Sequence, residues 1–427
     1  MTWLSRADRT LRFSSGVFRR GSALRGGLTV DAGLYGTSFG FALITAYTST
    51  LLPHRAWGAV AAWGYLAAFG VVAVQLVLRR PAGRMLTTWV TFAGVALLPL
   101  VVQAVQRAGG RTDRAQEEVL VVEHMGERLI HTGTPYLSPD AIAALPPAER
   151  LTGYSPYQPG MAIFGAPRAL AGDVWWTDAR IWFAVATVAA LVVAVRLVPT
   201  IRGLQVATVL PVCALTLATG GDDLPVLALC LLALALCAAD RFRAAGLAVG
   251  AAAALKLFAV PVLVVLAVLA LATGRGRRFL PGAMGLPIVA LLPAVAVNAD
   301  AFVENVIRFP LGHGLVTSPA QSPFPGYLIA STLPGGRYVA AGLLVAVGAG
   351  IAVLLMRRPP RTATAAALIC GYGLLAGILL MPTTRFGYLL YPVAFLIWAF
   401  SLCPGSAAEP PRQLSTQQTH SHLRPAG

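Results

Sequence analysis

Glu118 and Glu123 lie in the run QEEVLVVEHMGERLIHTGTPYL, 116–137, directly beyond an apolar stretch at 86–106. A carboxylate held there can take a proton from an attacking hydroxyl. Glu117 and Glu127 lie equally near the membrane surface, so which acid could act stays open, and the ordinary role of any one of them is a solvated helix face. Val119, Val122, Met125 or Gly126, and Leu129 recur at helical spacing, which predicts a short interfacial helix. Lys256 is the chain's one lysine and stands among apolar residues in AAAALKLFAVP. An ammonium buried in a bilayer is costly and marks a functional site by default. Pairing with a lipid phosphate would explain it; the plainer reading is a snorkelling side chain at a helix end. Arg385 in MPTTRFGYLLYP, with Arg308 and His313 in RFPLGHGLV, could join it in clamping a phosphate through charge-assisted hydrogen bonds. Each also has a plainer role, an interfacial anchor for Arg385 and an incidental loop residue for His313.

Aromatic and turn residues supply a second set of candidates. GTPY, 133–136, and YSPYQPGM, 154–161, combine Pro-restricted backbone with Tyr136, Tyr154 and Tyr157. Such a ledge suits a sugar and a lipid at the interface, or is simply an aromatic belt with turn chemistry. The turn TGGDDLP, 219–225, puts Asp222 and Asp223 side by side; two adjacent carboxylates are a poor metal signature, and capping the next helix is the commoner use. No metal site and no cofactor is expected, and a divalent cation is unsupported. Cys213, Cys230, Cys237, Cys370 and Cys403 lack CxxC spacing and fall in apolar stretches, which argues against disulfides or zinc.

The elements that must position these groups are membrane helices. Only 12% of the 427 residues are charged and 57% are hydrophobic, against about a quarter charged in soluble domains. Apolar runs near the roughly 20 residues that cross a bilayer recur at 34–53, 58–78, 86–106, 181–199, 204–219, 224–239, 281–298, 337–356, 362–381 and 386–403. Arginines in short connections assign a cytoplasmic side: Arg6, Arg9, Arg12, Arg19, Arg20 and Arg25, then Arg79/Arg80/Arg84, Arg196/Arg202, Arg241/Arg243, Arg275/Arg277/Arg278 and Arg357/Arg358/Arg361. For Arg241/Arg243 and Arg275/Arg277/Arg278 to share that side, the segment 244–273 must enter and return as two short helices meeting near Lys256 to Pro261. The alternative is one tilted 30-residue helix, which would invert all that follows. The resulting expectation is an all-α polytopic bundle of about eleven membrane segments. It has an Arg-rich cytoplasmic N-terminus at 1–33, two additional spans at 34–85, and a membrane core at 86–403 with outer loops 107–179 and 299–336. A disordered cytoplasmic tail, 404–427, follows. Of the seventeen acids, all but Asp8, Asp31, Asp240 and Glu409 fall outside the cytoplasm. The net charge of +16 is spread over loops at one membrane face, which points to anionic lipid headgroups and not to nucleic acid.

The pattern resembles the GT-C superfamily of membrane glycosyltransferases, in particular glycosyltransferase family 87, the polyprenol-phosphate-mannose-dependent α-mannosyltransferases of actinobacteria. The likeness runs over about 86–400: a span with an acid just beyond it, Gly133 and Tyr136, YSPY at 154–157, and RAAGLAVGAAAALKLFAVP at 243–261. Family members place an Asp after the first core span as catalytic base; Glu118 stands nearest that position, and Val122 occupies a place where the family often has Tyr. The resemblance implies an inverting enzyme in the cell membrane with its active site extracytoplasmic. It would move a hexose, mannose by family, from a polyprenyl-phosphate donor to a hydroxyl of an envelope glycolipid or glycan. Glu118 would be the base, and Lys256, Arg385 and His313 would stabilise the leaving phosphate. No nucleotide loop is needed, and none is present. A transporter or flippase for a lipid-linked or anionic substrate, and a non-catalytic protein of envelope assembly, are the competing readings.

Overall fold

The computed structural model of the protein describes residues 27–403. Residues 1–26 of the Arg-rich leader expected at 1–33, and the tail 404–427 expected to be disordered, lie outside the described residues; the first helix begins at Leu28, inside the expected leader. The helices are α1 (Leu28–Thr48), α2 (Leu52–Leu78), α3 (Arg84–Ala108), α4 (Glu117–Thr132), α5 (Ala179–Leu197), α6 (Ile201–Thr208), α7 (Pro211–Thr219), α8 (Asp223–Ala238), α9 (Phe242–Leu255), α10 (Ala259–Ala272), α11 (Gly276–Val297), α12 (Gly336–Arg357), α13 (Ala363–Leu380) and α14 (Phe386–Ser401). Among the described residues six helices, α2, α3, α5, α11, α12 and α13, are long and apolar enough to cross a membrane. The α6–α7 pair, bent by 44°, makes a seventh. The count of about eleven is not reached on length, because α8, α9, α10 and α14 are shorter apolar helices.

Proline accounts for two of the interruptions, and the exposed carbonyls find specific partners. Pro99 has no N–H to give the Val95 carbonyl; α3 widens into a π turn at Ala93–Leu97, and Trp57 of α2 donates its indole N–H to Val95 O at 2.8 Å. Pro211 opens α7, and the Val209 carbonyl at the bend accepts Tyr65 Oη at 2.6 Å. Both donors come from α2, so the added N-terminal pair is bolted to the core where the core helices break. At the far end Asp31 of α1, fully buried, accepts from Arg84 Nε at 2.6 Å and Arg202 Nη1 at 2.5 Å.

Segment 244–273 does return on itself. Asp240, before α9, pairs with Arg275, after α10, at 2.9 Å. A continuous helix over the intervening residues would hold those ends roughly 50 Å apart. The arms meet at Lys256–Phe258, where Lys256 is extended (φ −153°, ψ 141°). The α9 arm lies flat against α11 because Gly246 and Gly250 face it: a Cβ on either would sit 2.1 Å from Phe279 O or 2.3 Å from Gly282 O. Small residues four apart are what let membrane helices approach this closely.

The long segments expected on the outer side are folded onto the bundle. α4 presents Val119, Val122 and Met125 inward and crosses the 3-10 segment Pro159–Phe164 and its continuation so tightly that a Cβ on Gly165 would lie 2.1 Å from Val122 O. The second outer loop holds the π turn Val303–Arg308. It is stitched to the turn before α14 by Ser322 N–H to Thr384 O and Thr384 N–H to Ala320 O, each 2.9 Å.

Candidate active site

A cavity of about 780 Å³ opens at one end of the bundle, where the turns after α3, α7, α9 and α13 converge. Successive helices, with α9–α10 returning as a hairpin, alternate in direction, so the turns that hold the described arginine clusters, from Arg79/Arg80/Arg84 to Arg357/Arg358/Arg361, lie at the other end. Glu118 reaches the cavity from the first turn of α4. Its carboxylate is ion-paired with Arg385, which stands just before α14. Glu118 is largely covered while Arg385 keeps about a third of its side chain exposed.

Lys256 sits at the tip of the α9–α10 hairpin and enters the same space. Its Nζ donates to Asp222 Oδ2 at 2.7 Å and Asp223 Oδ1 at 2.6 Å. Tyr391 Oη completes the Asp223 carboxylate at 2.7 Å, and the rings of Tyr157 and Tyr388 lie 5.3 and 5.6 Å from the ammonium. The lone lysine is thus surrounded by two carboxylates and two π faces, an arrangement that compensates the cost of burying its charge. The charge of Asp222 and Asp223 is directed at Lys256. That leaves Arg385, with Glu118 as its single carboxylate partner, as the cavity cation able to exchange an anion most simply.

The tyrosines form the wall between these ion pairs. Tyr157 is buried, and burial pushes its phenol well above the ordinary value, with Asp222 and Glu118 acting in the same direction. Its backbone is set by Tyr136, whose Oη donates to Tyr157 O at 2.7 Å from outside the cavity. Tyr154 stacks on Phe309 at 4.1 Å and donates to Glu304 at 2.9 Å, so YSPY, in the first of the two long loops, is pinned to the second. The YSPY segment also presses on the hairpin tip: Gln158 N–H donates to Leu255 O at 3.1 Å, and a Cβ on Gly160 would lie 2.5 Å from Ala254 O.

Other candidates named from the sequence stand elsewhere. Glu123 points away from the cavity into a closed network, bidentate to Arg107 at 2.7 and 2.6 Å and accepting Ala179 N–H at 3.2 Å. Arg107 continues to Asp178 at 3.1 Å, and Asp178 to Arg180 at 2.7 Å. The helical spacing of Val119, Val122, Met125 or Gly126, and Leu129 puts Glu118 and Glu123 on one helix, but five residues turn them to different faces. Arg308 is exposed and leans on Glu304 at 3.6 Å, and His313 is exposed on its loop; neither lines the cavity. Tyr388 does line it, and Tyr391 stands buried behind it, bonded to Asp223; the three-residue steps Arg385, Tyr388, Tyr391 are the signal in the sequence that marks them. His54 and Gln116 also line it, and no local motif announces either.

The profile of glycosyltransferase family 87 matches residues 155–382, about half of the chain. The match includes Tyr157, Asp222, Asp223, Lys256, Arg308 and His313; Glu118, Glu123, Tyr136, Tyr154 and Arg385 fall outside it. No curated protein sequence matches. Among solved structures, ArnT from Cupriavidus metallidurans, crystallised with undecaprenyl phosphate, is similar at 17% identity and a TM-score of 0.44. The alignment covers 74% of this chain and 60% of that one, so the chain spans less than two thirds of that protein's length.

Proposed function

The chain belongs to glycosyltransferase family 87, and from that premise we propose that it transfers a hexose, mannose by resemblance, from a polyprenyl-phosphate donor to a hydroxyl of an envelope glycolipid or glycan at the outer face of the membrane. The observation that carries this reading is the Glu118–Arg385 pair facing a cavity shared with Lys256. A volume of about 780 Å³ falls within the range of small-ligand pockets, roughly 300–1,000 Å³. The collection of arginines at the opposite end of the bundle supports an outward-facing cavity, since cytoplasmic loops carry the positive charge.

In this mechanism the donor phosphate takes over the Arg385 guanidinium, and Glu118 is released from its partner. The freed carboxylate accepts the proton of the acceptor hydroxyl as that oxygen attacks the anomeric carbon from the face opposite the phosphate. The anomeric C–O bond breaks with its electron pair passing to the phosphate oxygen, so configuration inverts and polyprenyl phosphate leaves. Arg385 stabilises the charge gathering on that oxygen, while Lys256 adds a fixed positive charge held in register by Asp222 and Asp223. One exchange at Arg385 thereby couples donor arrival to activation of the base.

The test is Glu118→Gln in proteoliposomes supplied with polyprenyl-phosphate mannose. Loss of a general base costs about 10²- to 10⁴-fold, and a drop of that size in transfer is expected with the protein folded and inserted. Full activity would remove Glu118 from the mechanism. Vesicles that move the lipid across the bilayer without making a glycosidic bond would favour the transporter reading instead.

A further inference from the structure

The N-terminal pair α1–α2 lies outside the residues matched to the family, yet it contributes Phe41 and His54 to the cavity wall. His54 stands one helical turn before Trp57 and Gly58. Trp57 is locked by its bond to Val95 O at 2.8 Å, and Gly58 packs so closely on α1 that a Cβ there would lie 2.5 Å from Ala42 O. The imidazole is therefore carried on a rigid element and aimed at the cavity.

Half-buried, it shares the cavity lining with Gln116 and Glu118. Gln116 is itself fixed, its Oε1 accepting from Thr219 Oγ1 at 2.9 Å and its N–H donating to Thr219 O at 3.0 Å. No hydrogen bond ties either ring nitrogen of His54 to another of the described residues. Such a ring offers a directed polar nitrogen beside the base, at the side of Glu118 supplied by α2 and the Gln116–Thr219 contact, whereas the cations that suit a phosphate are Arg385 and Lys256.

We propose that His54 is an acceptor-binding residue: a ring nitrogen of His54 hydrogen-bonds a hydroxyl of the acceptor sugar next to the one that Glu118 deprotonates. The N-terminal pair thus sets acceptor specificity, and this inference rests on the glycosyltransferase reading above. The test uses the full chain in liposomes with polyprenyl-phosphate mannose as donor and octyl α-mannoside as acceptor, comparing His54→Ala and His54→Gln. His54→Ala should raise the acceptor KM about tenfold with little change in the donor KM, and His54→Gln, which keeps a hydrogen-bonding group, should recover most of the loss. An unchanged acceptor KM, or equal rises in both KM values, would overturn the proposal while leaving transfer itself intact. A wild-type protein that forms no glycosidic bond under the same conditions would sink the underlying reading and this one with it.

Discussion

At the scale of single residues, burial decides which charges are free to react. Glu123 and Asp178 are both almost fully covered, and every carboxylate oxygen in their network is claimed by Arg107, Arg168 or Arg180. Burial pushes the Asp178 carboxyl upward, but Arg180 and Arg107 outweigh it and hold its pKa well below the usual carboxylate range. Because the folded value is depressed, the stabilisation is complete above the unfolded value of about 3.9 and is lost as pH falls through the lower folded value. Asp178→Asn leaves the fully buried Arg180 without its carboxylate, and breaking a buried pair from one side costs on the order of 3–5 kcal/mol. Thermal unfolding of wild type and Asp178→Asn should therefore differ widely at pH 7 and less at pH 3. Equal gaps at the two pH values would show that the Asp178 charge is not what stabilises this corner.

Among elements, the α9–α10 hairpin and the YSPY segment depend on each other. Ion pairing of Asp240 with Arg275 closes the hairpin at its base, while the tip carries Lys256 to Asp222 and Asp223. Gly160 is where the outer loop bears on that tip, with no room for a side chain. Gly160→Ala forces either the loop or the tip to move, and overpacking of this kind costs about 1–3 kcal/mol. The expected result is a lower unfolding temperature together with reduced sugar transfer, because Tyr157 and Lys256 shift together. A variant with wild-type stability and transfer would mean that the contact yields without disturbing the cavity.

Across the whole molecule, two ends with opposite chemistry are separated by the apolar bundle. The cavity and outer loops occupy one, the described arginine clusters the other. Cys213, Cys230, Cys237 and Cys370 are buried, which keeps background labelling low. In intact cells a membrane-impermeant maleimide should label Ser331→Cys, exposed on the second outer loop, and should label Arg361→Cys only after permeabilisation. The reverse pattern would place the cavity on the cytoplasmic side and exclude an outer-leaflet donor.

Composition, run length and arginine placement determined the class of this protein, because a bilayer leaves helices few alternatives. The same information required 244–273 to return, and it singled out Lys256 as an expensive charge needing a partner. Position just past a span marked Glu118 as a candidate together with Glu117, Glu123 and Glu127, without choosing among them. Tertiary structure alone decided which partners these groups have. That Lys256 faces Asp222 and Asp223, that Arg385 meets Glu118 across 267 positions of sequence, and that Glu123 turns into an arginine network all depend on which helix ends meet. Local spacing carries no record of such meetings. His54 is the extreme case: it comes from helices preceding the family match, and the bonds of Trp57, Tyr65 and Asp31 to the core helices set it in the same cavity as Gln116.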